Sequence, residues 1–184
     1  MTPPPAPAKL RTPVPPGRFF GYYPGPVAVV TAAVGERRNA MSAGWHTALS
    51  HEPPLYGVSV GPGRHTHGLL SAAEGFVVNF LGLPHASAIH RLGTTSGRDG
   101  DKLAALGLDW TAGAEIAAPI LDAAYFAYEC RTVVVRRFGD HDLFVGRVVA
   151  THHRPDAYDE HGVLRPAHTP PAIYLGRGEY RPLA

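Results

Sequence analysis

Glycine and proline interrupt this chain too often for long helices to form in most of it. Glycine contributes 21 and proline 19 of the 184 residues, nearly twice average usage. Proline lacks the N–H that helix and sheet ladders need, and glycine loses more backbone freedom on ordering than any other residue. Short strands, many turns and small helices are the expected building blocks. At 45% hydrophobic and 17% charged residues, the chain can bury the core of one ordinary domain. Its formal net charge is +2, and its arginines are scattered, with no run longer than Arg37-Arg38 or Arg136-Arg137. No dominant positive field is implied, so nucleic acid is not an expected partner.

A single cysteine, Cys130, excludes an intrachain disulfide framework and a cysteine-rich zinc site. No stretch approaches the roughly 20 apolar residues of a membrane span. The opening MTPPPAPAKLRTPVPP lacks the apolar centre of a secretory signal, so no membrane association and a cytoplasmic location are expected. Residues 1–18 read as a flexible proline-rich arm, either untethered or lying across a partner subunit. The domain proper is expected over 19–184.

Residues 26–34 form a β-rich run, with residues 35–39 as its turn. Residues 40–50 read as a strand that unravels into a loop, halted by Glu52-Pro53-Pro54. Leu55–Val60 is the next strand, closed by Gly61-Pro62-Gly63. Thr66 is placed to cap a short helix through Ala73, with Leu69 and Leu70 facing inward. Gly75–Leu81 is a nearly continuous apolar strand, residues 84–92 a helix, and Thr94–Lys102 a polar loop. Ala124–Phe138 and Leu143–Thr151 are strands joined by a turn at Gly139–Asp142, and Pro171–Leu175 is a last short strand. Five or six strands with no βαβ period argue for a mainly β fold: an antiparallel closed sheet or barrel with small peripheral helices.

The Walker loop, the G-x-G-x-x-G turn and the G-x-S-x-G elbow are all missing from the sequence. Eleven histidines raise the question of a metal, but His65-x-His67 and His152-His153 are the only close pairs. Neither sits in an H-E-x-x-H frame, so no metal site is expected. More informative is Gly61-Pro62-Gly63-Arg64-His65-Thr66, a strand-to-helix junction. The first turn of a helix has unpaired N–H groups that attract phosphate, and Arg64 with the Thr66 hydroxyl can add hydrogen bonds. Arg64 as a solvated residue and Thr66 as a purely structural cap fit the same pattern. A second cluster, Asn39, Ser42, Trp45, Thr47 and Ser50, offers small polar groups beside an indole, suited to the edge of a flat polar ring. Trp45 as a plain core anchor fits equally.

The run PGPVAVVTAAVGERRNAMSAGWHTALSHEPPLYGVSVGPGRHTHGLL, then GFVVNFL, TSGRDGDKL, FGDHDLFVGRVVATH and PAIYLGRGEYR, resembles the flavin reductase-like family across residues 19–181. Its relatives include flavoredoxins and the reductase components of two-component monooxygenases. The resemblance implies an FMN-binding split β-barrel of antiparallel Greek-key type. It implies a homodimer that uses NADH or NADPH to reduce FMN, with an oxygenase or another electron-acceptor protein as partner. Laid over this sequence, Asn39–Trp45 would run along the flavin, with Ser42 and Ala43 at the ring edge. Ser50 and Arg64-His65-Thr66 would hold the phosphate, and Asn79 would stand near the ring. Ser96, Gly97 and Lys102 would form a variable loop over the pocket. His141 would position the nicotinamide, or be only a turn residue. Gly44 and His46 depart from the larger or aromatic residues common beside that tryptophan. A flavoredoxin-like electron carrier with tightly held FMN, and a non-enzymatic cofactor binder, are the rival readings.

Overall fold

A computed structural model describes residues 24–183. The proline-rich arm and residues 19–23 lie outside the described residues. Seven strands form one sheet: β2 (Ala28–Val34), β3 (Arg37–Ala43), β4 (His46–His51), β5 (Pro54–Val60), β6 (Gly75–Leu81), β9 (Ala124–Phe138) and β10 (His141–His153). Their order is β3-β2-β6-β9-β10-β5-β4, and every pairing is antiparallel. β1 (Gly25–Pro26), β11 (Ile173–Gly176) and β12 (Glu179–Arg181) make a three-stranded sheet, and β7 (Trp110–Ala112) pairs with β8 (Pro119–Leu121). The helices are α1 (His65–Ala72), α2 (Ala86–Thr94) and α3 (Lys102–Ala105).

Strand order alone shows that the sheet is rolled. β3 and β4 are its two outermost strands, yet only Gly44 and Trp45 separate them. A flat sheet would hold these strands six spacings, about 29 Å, apart. The connection reaches only about 10 Å. The two edges must therefore meet at this bend, where the amide of Ser59 on β5 donates to the Trp45 carbonyl at 2.9 Å and carries the β4–β5 pairing up to the turn. The result is a barrel left open along one side.

β2 explains why its sequence is apolar without alternation. Ala28, Val30 and Ala32 pack into the barrel interior with Val58, Phe76, Val78 and Phe144. Val27 and Val29 face outward but lie beneath Ile89 and Leu92 of α2 and Leu103 of α3. Both faces are buried, which a continuous apolar run allows. Two hairpins depend on glycine at the first turn position, where a positive φ is needed: Gly35 at +59° between β2 and β3, and Gly139 at +60° between β9 and β10.

Three expectations are corrected. Residues 40–50 are not a fraying strand but the end of β3, a tight bend and all but the last residue of β4, because β4 is held by β5. The turn expected over Gly139–Asp142 is only Gly139-Asp140, since His141 already pairs with Phe138 and Asp142 with Arg137. Thr66 does not cap α1. Arg64 occupies the cap position without a side-chain cap bond, and the Thr66 hydroxyl accepts from Asn39 Nδ2 at 2.8 Å.

Asn79 is a core residue. It is fully buried; its amide donates to Val29 O (3.1 Å) and Thr31 Oγ1 (3.3 Å), and its carbonyl accepts from the Leu121 amide (2.9 Å). It thus ties β2 and β8 to β6. Asn79→Ala would leave several of these buried partners unpaired, so a loss of about 2–3 kcal/mol is expected. Denaturant unfolding should show that loss.

Candidate functional site

The seam of the barrel opens into a cavity of about 840 Å³. Its walls come from the end of β3 and the bend after it, the end of β5, the start of α1, the last turns of α2, the loop over 95–98, and β11–β12. The chain delivers these pieces together because the β3–β4 bend lies beside the β5–α1 junction: His46, just after the bend, pairs with Val58 near the end of β5.

One end of the cavity is built for an anion. Among the described residues, the amides of His65 and Thr66 have no backbone acceptor, and no side chain caps the helix. Arg64 stands beside them on the cavity wall. Because Thr66 Oγ1 accepts from Asn39, the hydroxyl proton is left to be donated elsewhere. Two free amides, a hydroxyl and a guanidinium at a helix start form a phosphate cradle. His67 and Asp142 brace it from behind: His67 Nε2 lies 2.7 Å from Asp142 Oδ2, joining α1 to β10. The Asp142 carboxyl is held below its usual range by its hydrogen bonds to Arg137, then His67.

The other end suits a flat ring. Ser42, Ala43, Gly44 and Trp45 line it, and Trp45 is 41% exposed, so it is no core anchor. His141 lies against the indole, with ring centroids 4.8 Å apart. The Ser42 hydroxyl donates to the Ile89 carbonyl, so its proton holds α2 in place and only its lone pairs remain for a ligand. His46 turns away into the barrel, between Tyr56 and the Pro26 carbonyl. Burial lowers its pKa. The neutral ring donates from Nε2 to Pro26 O and accepts the Tyr56 proton at Nδ1.

Of the residues singled out in the sequence, Asn39, Ser42, Ala43, Trp45, Arg64, His65, Thr66, Ser96, Gly97, Lys102 and His141 all meet on this cavity. Thr47, Ser50 and Asn79 are not on its wall. Thr47 is exposed on β4, Ser50 lies beyond a register shift in the same strand, and Asn79 is committed to the core. Sequence reasoning assigned no role to His90, Tyr174 and Tyr180, which also line the cavity. The rings of the two tyrosines lie 5.1 Å apart, tilted by 46°, and they sit in the closing segment that contributed to the family resemblance.

Lys102 is a different kind of loop residue from the one expected. It is buried, and its Nζ donates to Leu92 O (2.9 Å) and Thr95 O (3.3 Å), tying down the end of α2 and the loop after it. Burial, with the nearby Arg64 charge adding to it, pushes its pKa down to about 8. An anion bound at Arg64 favours the protonated amine and raises that pKa. Affinity for a phosphate-bearing ligand at Arg64 is therefore expected to fall about 3- to 10-fold as pH rises from 8 to 10. Titration with Lys102→Met should give weaker binding without that slope. Cys130 is buried, and its thiol is pushed up to about 12, mainly by burial and then by Glu129, so it offers no thiolate near neutral pH.

A family model described as "Flavin reductase like domain" matches residues 20–184. The chain belongs to the flavin reductase-like family. Among solved structures, an FMN-binding protein from Thermus thermophilus with bound 1-cyclohex-2-enone superposes with a TM-score of 0.85 at 42% identity, covering 96% of each chain. An NADH:riboflavin 5'-phosphate oxidoreductase from Streptomyces pristinaespiralis is 36% identical over 132 residues, 67% of this chain and 68% of that one. An NADH-dependent FAD reductase from Streptomyces globisporus is 33% identical over 133 residues, 72% of this chain and 71% of that one. The chain is thus an oxidoreductase-family protein on the split-barrel fold. Among the described residues no helix is long and apolar enough to cross a membrane.

Proposed function

We propose that this flavin reductase-like protein binds FMN in the seam cavity and uses NADH or NADPH to reduce it. One observation carries this reading: the phosphate cradle at Arg64–Thr66 and the flat wall at Ser42–Trp45 belong to one cavity of about 840 Å³, in the range of nucleotide-sized sites. The residues fit the group. Free amides, a guanidinium and an oriented hydroxyl match a ribityl phosphate, while small side chains beside an indole leave room for an isoalloxazine ring. When bound, the flavin supplies the two-electron acceptor; the chain's own tasks are to bind, orient and exclude water. Backbone amides along residues 42–45, which line the cavity, are assigned the task of donating to the pyrimidine edge of a bound flavin, where negative charge grows on reduction. His141, in contact with Trp45, is assigned to hold the nicotinamide over the ring. No side chain is needed as a base for hydride transfer.

A homodimer belongs to the same proposal. Past Thr132, whose amide donates to the Glu74 carbonyl, β9 has no partner strand among the described residues on the side where β6 paired it, and Val133, Val134, Val135 and Phe138 there are 44–57% exposed. A separate oxygenase or other acceptor protein would consume the reduced flavin.

The test is anaerobic stopped-flow mixing of FMN-loaded protein with NADH and with NADPH, followed by filtration. Loss of oxidised-flavin absorbance within seconds, with reduced flavin in the filtrate, is expected. Absence of bleaching by either nicotinamide would contradict the reading, and slow bleaching with flavin retained would point to an electron carrier. His141→Ala should slow reduction about tenfold through lost positioning while leaving FMN affinity nearly unchanged. Unchanged reduction kinetics would remove His141 from the site.

A further inference from the structure

The loop over 95–101 is a thin wall between two open spaces. On one side is the seam cavity. On the other lies a groove of about 910 Å³, bordered by the β2–β3 hairpin and the first turns of α1. Gly97 and Arg98 line both. We propose that residues 96–100 form a strap across the anion end of the cavity, latched by the Arg38–Asp101 ion pair, and that flavin enters and leaves as the latch opens. The inference rests on the flavin reading above and adds what controls exchange at that site.

The ends of the strap are anchored. At one end the Lys102 amine holds the carbonyls of Leu92 (2.9 Å) and Thr95 (3.3 Å). At the other, Asp101 caps α3: its Oδ1 accepts from the amides of Leu103 (3.0 Å) and Ala104 (3.2 Å). The middle is held differently. The Arg98 amide donates to Ser96 Oγ and the Asp99 amide to Ser96 O, both at 3.2 Å, and these bonds stay within the strap. The Arg98 guanidinium reaches across the cradle to the Gly63 carbonyl, but at 3.4 and 3.5 Å, long for a hydrogen bond. Gly97 sits against Asn39 and His65 through contact alone. Gly100, with φ at +139°, gives the strap a joint beside its second anchor that other residues adopt poorly.

The strong tie between this strap and the barrel is the latch. Arg38 on β3 donates to Asp101 Oδ2 at 2.9 Å, so Asp101 uses one oxygen to cap and the other to fasten. Arg38 is steadied in turn by the Trp110 ring, 4.8 Å from its guanidinium carbon. The paired side chains are 35% and 39% exposed, so water and salt compete for the bond. Such a pair adds little to global stability, yet breaking it changes the open population severalfold. Arg38 borders the groove and is not on the cavity wall. Its removal can alter rates without removing a contact to bound flavin. Gates and binding contacts differ in kinetics. Losing a binding contact speeds dissociation alone, whereas losing a latch speeds entry and exit together and leaves affinity nearly unchanged.

The experiment is stopped-flow fluorescence of flavin binding to the full chain, for wild type, Arg38→Gln, Asp101→Ser and the double variant. Serine keeps the helix cap while removing the ion pair. Riboflavin is the main probe, because it has no phosphate and is insensitive to the altered surface charge; FMN is run beside it. Each single variant should raise both the association and dissociation rates of riboflavin about two- to fivefold, with affinity within about twofold. The double variant should be no faster than either single one, since all three lack the same pair. Added salt should bring wild-type rates toward those of the variants. Unchanged rates, additive effects of the two substitutions, or faster dissociation alone with weaker affinity would overturn the latch. Failure of the underlying flavin reading is distinguishable: in that case wild type binds neither FMN nor riboflavin.

Discussion

Arg64→Ala is expected to weaken FMN binding about 10- to 100-fold while changing riboflavin affinity by less than about threefold. The two ligands share the ring and ribityl chain and differ only in the phosphate, so the comparison isolates the anion cradle. A hydrogen bond to a charged group contributes about 1.5–3 kcal/mol, which is roughly 10- to 150-fold in affinity. The upper part of that range is less accessible here, because the His65 and Thr66 amides and the Thr66 hydroxyl remain to hold the phosphate. Lys102 also regains some of its charged state once the neighbouring guanidinium is gone. Fluorescence titration of both flavins measures the difference. Equal losses for both would show that Arg64 supports the cavity wall and does not contact phosphate.

Gly97→Val is expected to damage both stability and binding, for a steric reason. A Cβ at Gly97 would fall 2.5 Å from Asn39 Oδ1 and 2.6 Å from His65 Cδ2, well inside contact distance. Asn39 cannot swing away cheaply: it is buried, and its amide orients the Thr66 hydroxyl. Either the loop over 95–101 lifts from the cavity, or the Asn39–Thr66 bond breaks and the cradle loses its oriented donor. Overpacking of this kind costs about 1–3 kcal/mol, a Tm decrease of roughly 2–12 °C in a chain of this size. FMN affinity should fall about tenfold or more by whichever route the strain is relieved. A Gly97→Val protein with wild-type Tm and FMN affinity would mean that the loop is not seated against Asn39 in solution.

These two positions show what the amino-acid sequence reveals and what it conceals. Strands β2, β6 and β9 are legible because their apolar runs exceed what a half-exposed strand needs, and β2 and β6 are indeed covered on both faces. β4 is concealed because His46, Thr47, Ala48 and Leu49 carry no apolar alternation; β5 pairing holds it in place. Short β7, β8 and β12 depend on tertiary partners and have no local pattern. Arg64 and the residues beside it are legible from the strand-to-helix junction. The hydroxyl of Thr66 is misread as a cap because the residue that claims it, Asn39, lies 27 positions away. Asn79 illustrates the same limit in reverse. A polar residue in an apolar strand suggests a ligand, but its partners on β2 and at Leu121 satisfy it internally. Gly97 looks like an ordinary loop glycine until the loop is seen folded onto Asn39 and His65.

The most direct test of the account is a crystal structure of the protein grown with FMN. The phosphate should lie within hydrogen-bonding distance of the Arg64 guanidinium and the His65 and Thr66 amides, with the isoalloxazine ring along Ser42–Trp45. Density for FMN elsewhere, or for a phosphate remote from Arg64, would contradict it.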